Sequence, residues 1–100
     1  MELDPEVADV YAHAVVSAAN KIGAMDRIFE HADLIRRCFR KEMRLRHFLE
    51  SPRILKEQKH ATIDRMFSGR IEPLLLSLIH VMLENNRAEN LDETLRLVCD

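Results

Sequence analysis

Histidine and cysteine, the side chains most often used as nucleophiles, bases and metal ligands, are poorly arranged for chemistry in this sequence. The five histidines fall in five different predicted helices, and no two have the HxxxH or HExxH spacing of a zinc site. Cys38 and Cys99 are far apart and have no CxxC spacing, so we expect two free thiols. The sequence therefore predicts no metal, no cofactor and no catalytic centre, and it predicts that the histidines lie singly on polar faces: His13, His31, His47, His60 and His80.

A cluster of bases in the middle of the chain is a second candidate for function. Residues 36–70 hold eleven bases and four acids, although the whole chain has a net charge of -2. The densest part, the basic segment (residues 36–46), contains Arg36, Arg37, Arg40, Lys41, Arg44 and Arg46. Such a segment is typical of a surface that binds nucleic acid or anions. It is equally typical of a solvated helix face whose bases complement acidic residues of the same fold. The sequence pI of about 6.2 favours the second interpretation.

The elements that position these side chains are all predicted to be helices. The 100 residues include two glycines and three prolines and are 47% apolar and 5% aromatic, a composition that suits one helical domain better than a sheet. No apolar run approaches a membrane span, and the acidic start lacks the features of a signal or transit peptide, so we expect no membrane insertion and a cytoplasmic location. The fold class predicted is an all-α, single six-helix bundle over residues 1–100.

Helix boundaries follow from capping residues and hydrophobic periodicity. We place the helices at residues 5–20, 24–40, 42–49, 52–67 and 71–85, with a sixth that begins near residue 91. Asp4-Pro5 and Ser51-Pro52 are predicted helix starts, and Asn90-Leu91-Asp92-Glu93 is a predicted capping box. Gly23 and Asn85-Asn86 are predicted to end helices in the left-handed conformation.

Two helices carry more apolar residues than one buried face requires. Helix 1 has two apolar stripes, and helix 5 is apolar at eight of the ten positions from Leu74 to Leu83. Surplus apolar surface on two helices indicates either a groove for an amphipathic partner helix or two helices at the centre of the core. Periodicity alone leaves both interpretations open.

The same two helices carry a family resemblance. Tyr11-Ala12-His13-Ala14 in helix 1 is similar to the Tyr-Ala-x-Ala motif of the N-terminal domain of the F-type ATP synthase delta subunit, called oligomycin-sensitivity-conferring protein in mitochondria. Leu78-Ile79-His80-Val81-Met82-Leu83-Glu84-Asn85-Asn86-Arg87 resembles the family pattern at the end of helix 5, with Asn86 in place of the usual glycine. The resemblance extends over essentially the whole chain.

This resemblance implies a non-catalytic part of the peripheral stalk that binds the N-terminal helix of an alpha subunit between helices 1 and 5. The groove would be lined by Tyr11, Ala14, Val15, Ala18, Leu74, Ser77, Leu78, Val81 and Asn85. Four residues of helix 5 would then face the core: Leu75, Ile79, Met82 and Leu83. The family's C-terminal domain, which binds the b subunits, is expected to be absent from this chain. The resemblance also implies a monomer in isolation, no nucleic-acid partner, and a place on the inner face of the plasma membrane within the complex. The alternatives are a helical adaptor for another partner and an anion-binding module that uses the basic segment.

Overall fold

Six α-helices follow one another in the computed structural model, which describes residues 5–100, with side chains from residue 6. They are α1 (Pro5–Ile22), α2 (Met25–Lys41), α3 (Met43–Glu50), α4 (Lys56–Phe67), α5 (Pro73–Glu84) and α6 (Leu91–Cys99), with a short 3-10 helix at Ala88–Asn90. The predicted all-α six-helix bundle is confirmed over the described residues. The predicted Asp4 cap of α1 lies outside them.

Buried residues from all six helices form one hydrophobic core. The C-terminal helix α6 packs against both α1 and α2, and α4 and α5 form a hairpin whose second helix also contacts α1 and α2. Among the largest fully buried side chains are Phe39 in α2, Ile63 in α4, Ile79 in α5 and Leu95 in α6. Because α5 packs on α1, the two helices with surplus apolar surface are neighbours.

Two predicted left-handed turns are confirmed. Gly23 ends α1 with a φ of 68°, and Asn86 follows α5 with a φ of 60°. Asparagine tolerates this conformation better than most residues other than glycine. The N–H of Arg87 then donates to the carbonyl of Met82, which closes the end of α5.

The predicted start of the fourth helix at Pro52 is wrong. The Ser51 hydroxyl accepts from the N–H of Arg53 at 3.2 Å and forms a local turn instead of capping a helix. The helix begins at Lys56, where the side chain of Gln58 accepts from the N–H of Leu55 at 3.3 Å. Leu55 is consequently exposed, and Ile54 is only half-buried.

The predicted capping box at the start of α6 is also not formed. Asn90 ends the 3-10 helix with a φ of -93° and a ψ of -4°, so its backbone is not extended as a capping residue requires, and its side chain makes no capping hydrogen bond. Glu93, the expected partner, pairs instead with Arg96. The Thr94 hydroxyl donates to the carbonyl of Asn90 at 2.8 Å, so a side chain of α6 itself stabilises the first turn of the helix.

Between residues 5 and 100, no helix combines the length and the apolarity needed to cross a membrane.

Candidate functional site

The two apolar stripes of α1 have different environments. Ala8, Ala12 and Ala19 of one stripe are buried in the core. The other stripe faces outward: Val10 is 67% exposed, and Ala14 is exposed as well. A central position in the core would have covered both stripes, so α1 keeps an apolar face that the fold does not cover.

The helix α5 is divided in the same way. Its inward face consists of Leu75, Ile79, Met82 and Leu83, all buried as the sequence predicts. On its outward face Ser77 is exposed and Val81 is 48% exposed.

The first turn of α5 is held on α2 by the buried residue Glu72. Its N–H donates to Nδ1 of His31 at 2.8 Å, and its carboxylate accepts from Nε of Arg27 at 3.1 Å. These contacts fix the direction in which α5 presents its outward face.

The outward faces of α1 and α5 meet in an open groove with a volume of about 290 Å³. Its lining is almost entirely apolar, and Ser77 is its one aliphatic hydroxyl. Seven of the nine side chains proposed from the sequence line it: Tyr11, Ala14, Val15, Leu74, Ser77, Leu78 and Val81. The structure thus brings most of the predicted set together on one surface.

The members of the predicted set contribute in different ways. Val15 and Leu78 are only 4% and 6% exposed, so they form the floor of the groove and belong to the core as well. Asn85 does not line the groove directly, but its Nδ2 donates to the Tyr11 hydroxyl at 2.8 Å and so links the end of α5 to α1. Ala18 is half-buried and lies outside the lining, because the groove ends before that turn of α1.

The surface past Tyr11, toward the start of α1, is more polar than the groove. There Val7 and Val10 form a second depression, bordered by Glu6 and by the exposed residue Arg87. Tyr11 lines both depressions, so the two lie next to each other along α1. The set predicted from the sequence does not include Val10 and Arg87, which line this second depression, although Val10 lies in the same stripe as Tyr11 and Ala14.

Most arginines of the basic segment are paired with acids of the same domain. Three pairs are local: Arg37 with Asp33, Arg44 with Glu42, and Arg46 with Glu50. The fourth, Arg36 with Asp92, joins α2 to α6 at 3.6 Å. Hydrogen bonds from Arg44 lower the pKa of the Glu42 carboxyl, as expected for a carboxylate held by a guanidinium. This pairing reduces the positive field that a nucleic acid would meet and matches the solvated-face interpretation of the segment.

The thiols and imidazoles, the groups best suited to chemistry, have different surroundings in the structure. Both cysteines are free thiols, and burial raises the pKa of Cys99, which disfavours the nucleophilic thiolate. The prediction of five single histidines is wrong for one pair, because Nδ1 of His60 and Nδ1 of His80 lie 2.6 Å apart. Within the described part of the chain, no group of three or more ligand side chains is placed to hold a metal ion.

Comparison with known proteins places the chain in a family. The profile of the family described as ATP synthase delta (OSCP) subunit matches residues 7–98. The chain is 33% identical over 87 residues to the ATP synthase subunit delta of Synechococcus elongatus, an alignment that covers 87% of this chain and 48% of the relative.

Two further relatives carry the same name. Identity is 31% over 90 residues with the protein of Leptospira borgpetersenii serovar Hardjo-bovis (90% of this chain and 47% of the relative), and 27% over 94 residues with that of Symbiobacterium thermophilum (94% and 50%). The chain spans about half the length of these relatives. With nearly all of its residues matched by one family profile, this six-helix chain belongs to the ATP synthase delta (OSCP) subunit family.

Proposed function

We propose that this chain is a non-catalytic component of the peripheral stalk of F-type ATP synthase, and that it holds the N-terminal helix of an alpha subunit in the groove between α1 and α5. The observation that carries the proposal is the groove itself. It is apolar and open, and its walls are the two helices that carry the family's Tyr-Ala-x-Ala and Glu-Asn-x-Arg motifs. The family to which the chain belongs is a structural subunit of the synthase.

The shape and chemistry of the groove suit an amphipathic helix. An apolar stripe of a partner helix would cover Ala14, Leu74 and Val81, while its polar face remained in solvent. The small side chain of Ala14 lets the partner backbone approach α1 closely. Burial of on the order of 600 Å² of apolar surface gives roughly 15 kcal/mol before costs. Ordering the peptide and restricting its motion offset much of this, so we expect a Kd in about the micromolar to nanomolar range.

In the complex, such a domain would hold the stator to the alpha subunits, so that rotor torque does not turn the whole catalytic head. The function of such a domain therefore depends on how strongly it binds its partner and not on a catalytic rate. The location that follows is peripheral, on the inner face of the membrane that carries the synthase. Contacts with the b subunits would belong to the half of the relatives that this chain does not span.

A calorimetric titration tests the proposal. The titrant is a synthetic peptide of about twenty residues from the N-terminus of the alpha subunit of the same organism. We expect one-to-one binding with a negative heat-capacity change, because apolar surface is buried, and with a weak dependence on salt. Absence of binding by a domain that circular dichroism shows to be folded would contradict the proposal. Strongly salt-dependent binding to nucleic acid instead would favour the module based on the basic segment.

Substitution of Arg87 tests whether the partner helix continues along α1 past Tyr11. The exposed guanidinium borders the second depression beside Val10 and favours a carboxylate at that end of the partner helix. We expect Arg87→Glu to weaken peptide binding by about three- to tenfold at low salt, the range of a partly screened ion pair that is turned into repulsion. The matched control is Arg40→Glu in the basic segment, at another exposed arginine. Equal effects of the two substitutions on the Kd would show that Arg87 contributes only to the overall positive potential of the domain and not to a specific ion pair with the partner helix.

A further inference from the structure

Four side chains form a row that joins α4 to α5. His60 and Asp64 lie one turn apart on α4, and His80 and Glu84 lie one turn apart on α5. Nε2 of His60 lies 3.0 Å from Oε2 of Glu84, Nε2 of His80 lies 2.7 Å from Oδ1 of Asp64, and the two Nδ1 atoms lie 2.6 Å apart. We name this row, Glu84–His60–His80–Asp64, the histidine relay.

The two imidazole rings meet through their edges. Their centroids are 4.8 Å apart and their planes are inclined by 28°, while the Nδ1 atoms are separated by only 2.6 Å. The two nitrogens therefore lie between the centroids and face each other, as in a hydrogen bond. A tetrahedral zinc ion with about 2.0 Å to each nitrogen would hold the two nitrogens about 3.3 Å apart, so the observed separation does not suit zinc. A proton does fit.

The number of hydrogens in the relay follows from its three contacts. A carboxylate only accepts, so each Nε2 must carry a hydrogen, and one of the two Nδ1 atoms must carry a third. Two neutral imidazoles supply two hydrogens in total. We propose that His60 and His80 form a proton-binding site that holds one excess proton, as an imidazolium hydrogen-bonded to a neutral imidazole, and that this proton ties α4 to α5.

The surrounding charges suit one excess proton. The carboxylates of Asp64 and Glu84 flank the imidazole pair, so a single positive charge lies between two negative ones. The ammonium of Lys56 donates to the backbone carbonyl of Glu84 at 2.8 Å and is the nearest cation with a contact to the relay. A second excess proton would place two N–H groups against each other across the 2.6 Å contact.

The titratable groups of α1 and α2 that form hydrogen bonds with residues next to α5 do so at its two ends. From α1, Tyr11 contacts the residue after Glu84 through its hydrogen bond with Asn85. From α2, Arg27 and His31 contact Glu72, at the opposite end of the helix. The charged groups in direct contact with the relay are therefore its own two carboxylates and Lys56.

Stability should depend on pH in both directions. As the pH rises, loss of the excess proton leaves one of the three contacts without a hydrogen, whereas the unfolded chain gives up no such bond. As the pH falls, the unfolded chain protonates both histidines, whereas the relay holds only one excess proton. By linkage, the contribution of the relay passes through a maximum at the pH where the two histidines of the unfolded chain together bind one excess proton.

The experiment combines a direct proton count with variants. Nitrogen-15 imidazole spectra of the wild-type domain should show three protonated ring nitrogens among the four of His60 and His80 near the stability maximum. In thermal unfolding, the double variant H60Q/H80Q should lower the Tm by about 4 to 8 °C at that pH, the range for loss of one net hydrogen bond in a domain of this size. The difference in Tm between the wild type and the double variant should become smaller at both higher and lower pH.

Two comparisons decide the outcome. The single variants His60→Gln and His80→Gln should each lower the Tm nearly as much as the double variant does, because the two residues act as a unit. The control His47→Gln, at an exposed histidine of α3, should leave the pH profile unchanged. Two protonated ring nitrogens instead of three would overturn the proposal without any variant. So would a Tm difference that does not vary with pH.

Discussion

Replacement of Ala14 by aspartate should abolish binding of the alpha-subunit N-terminal helix while the domain stays folded. In the free domain the Ala14 side chain is exposed on the outward face of α1, so a carboxylate there remains hydrated. In the complex it would lie against the apolar walls formed by Leu74 and Val81, with no cation among the residues that line the groove. An uncompensated buried charge costs about 3 to 5 kcal/mol. We therefore expect binding to weaken by at least about 100-fold.

Titration of the Ala14→Asp variant with the same peptide measures this loss, and thermal unfolding by circular dichroism verifies the fold. The matched control is Ala61→Asp, the same change at an exposed position of α4, which should bind with wild-type affinity. Ala18→Asp adds a second comparison, because Ala18 belongs to the predicted set but lies outside the lining. Undiminished binding by a folded Ala14→Asp variant would place the partner elsewhere on the domain.

The two walls of the groove stand out in the sequence because both violate a simple rule, but it is the family resemblance, and not periodicity, that implies a groove between them. An amphipathic helix needs one apolar stripe, and α1 has two. On α5 the polar residue Ser77 marks the outward side, and Leu75 and Ile79 are correctly assigned to the core. Periodicity did not specify where the groove ends along α1, since that depends on how α5 crosses it. Ala18 of the predicted set therefore lies outside the lining, and Val10 lies in the adjacent depression.

Local hydrogen bonding explains the two helix starts that the sequence predicted wrongly. Ser51 before Pro52 fits a helix start, but a serine hydroxyl can equally close a turn on the N–H two residues ahead, and here it bonds to Arg53. Asn90 to Glu93 fits a capping box, but the preceding 3-10 turn places Asn90 in a conformation that excludes side-chain capping. In both cases the sequence allows two local structures, and the neighbouring turn decides between them.

The histidine relay depends on tertiary structure and on a pattern that a search for metal motifs does not detect. Each half is a histidine followed four residues later by an acid, His60 with Asp64 and His80 with Glu84. Either half alone is typical of a solvated helix face. Only the hairpin of α4 and α5 places the two halves in antiparallel alignment, so that each histidine meets the acid of the other helix.

Truncation of Leu95 to alanine should be the most destabilising of the substitutions considered. Leu95 is completely buried in α6, the helix that packs against both α1 and α2. Loss of its side chain leaves a cavity at this junction, and such changes cost about 2 to 5 kcal/mol. That is a large part of the roughly 5 to 15 kcal/mol that stabilises a typical domain. Chemical denaturation of the wild-type and Leu95→Ala proteins measures the difference in the free energy of unfolding.

The neighbouring residue Leu97 supplies the control for this prediction. It lies on the same helix but is only half-buried, so Leu97→Ala should lower the free energy of unfolding clearly less than Leu95→Ala. Both substitutions introduce alanine, so the helix propensity of the new residue is the same. Because α6 supports α1 from the side opposite the groove, Leu95→Ala should also loosen the wall that carries Tyr11 and Ala14. Equal costs for the two truncations would mean that the junction of α1, α2 and α6 relaxes around the lost side chain instead of keeping a cavity. In that case α6 does not hold α1 rigidly in place for the partner helix.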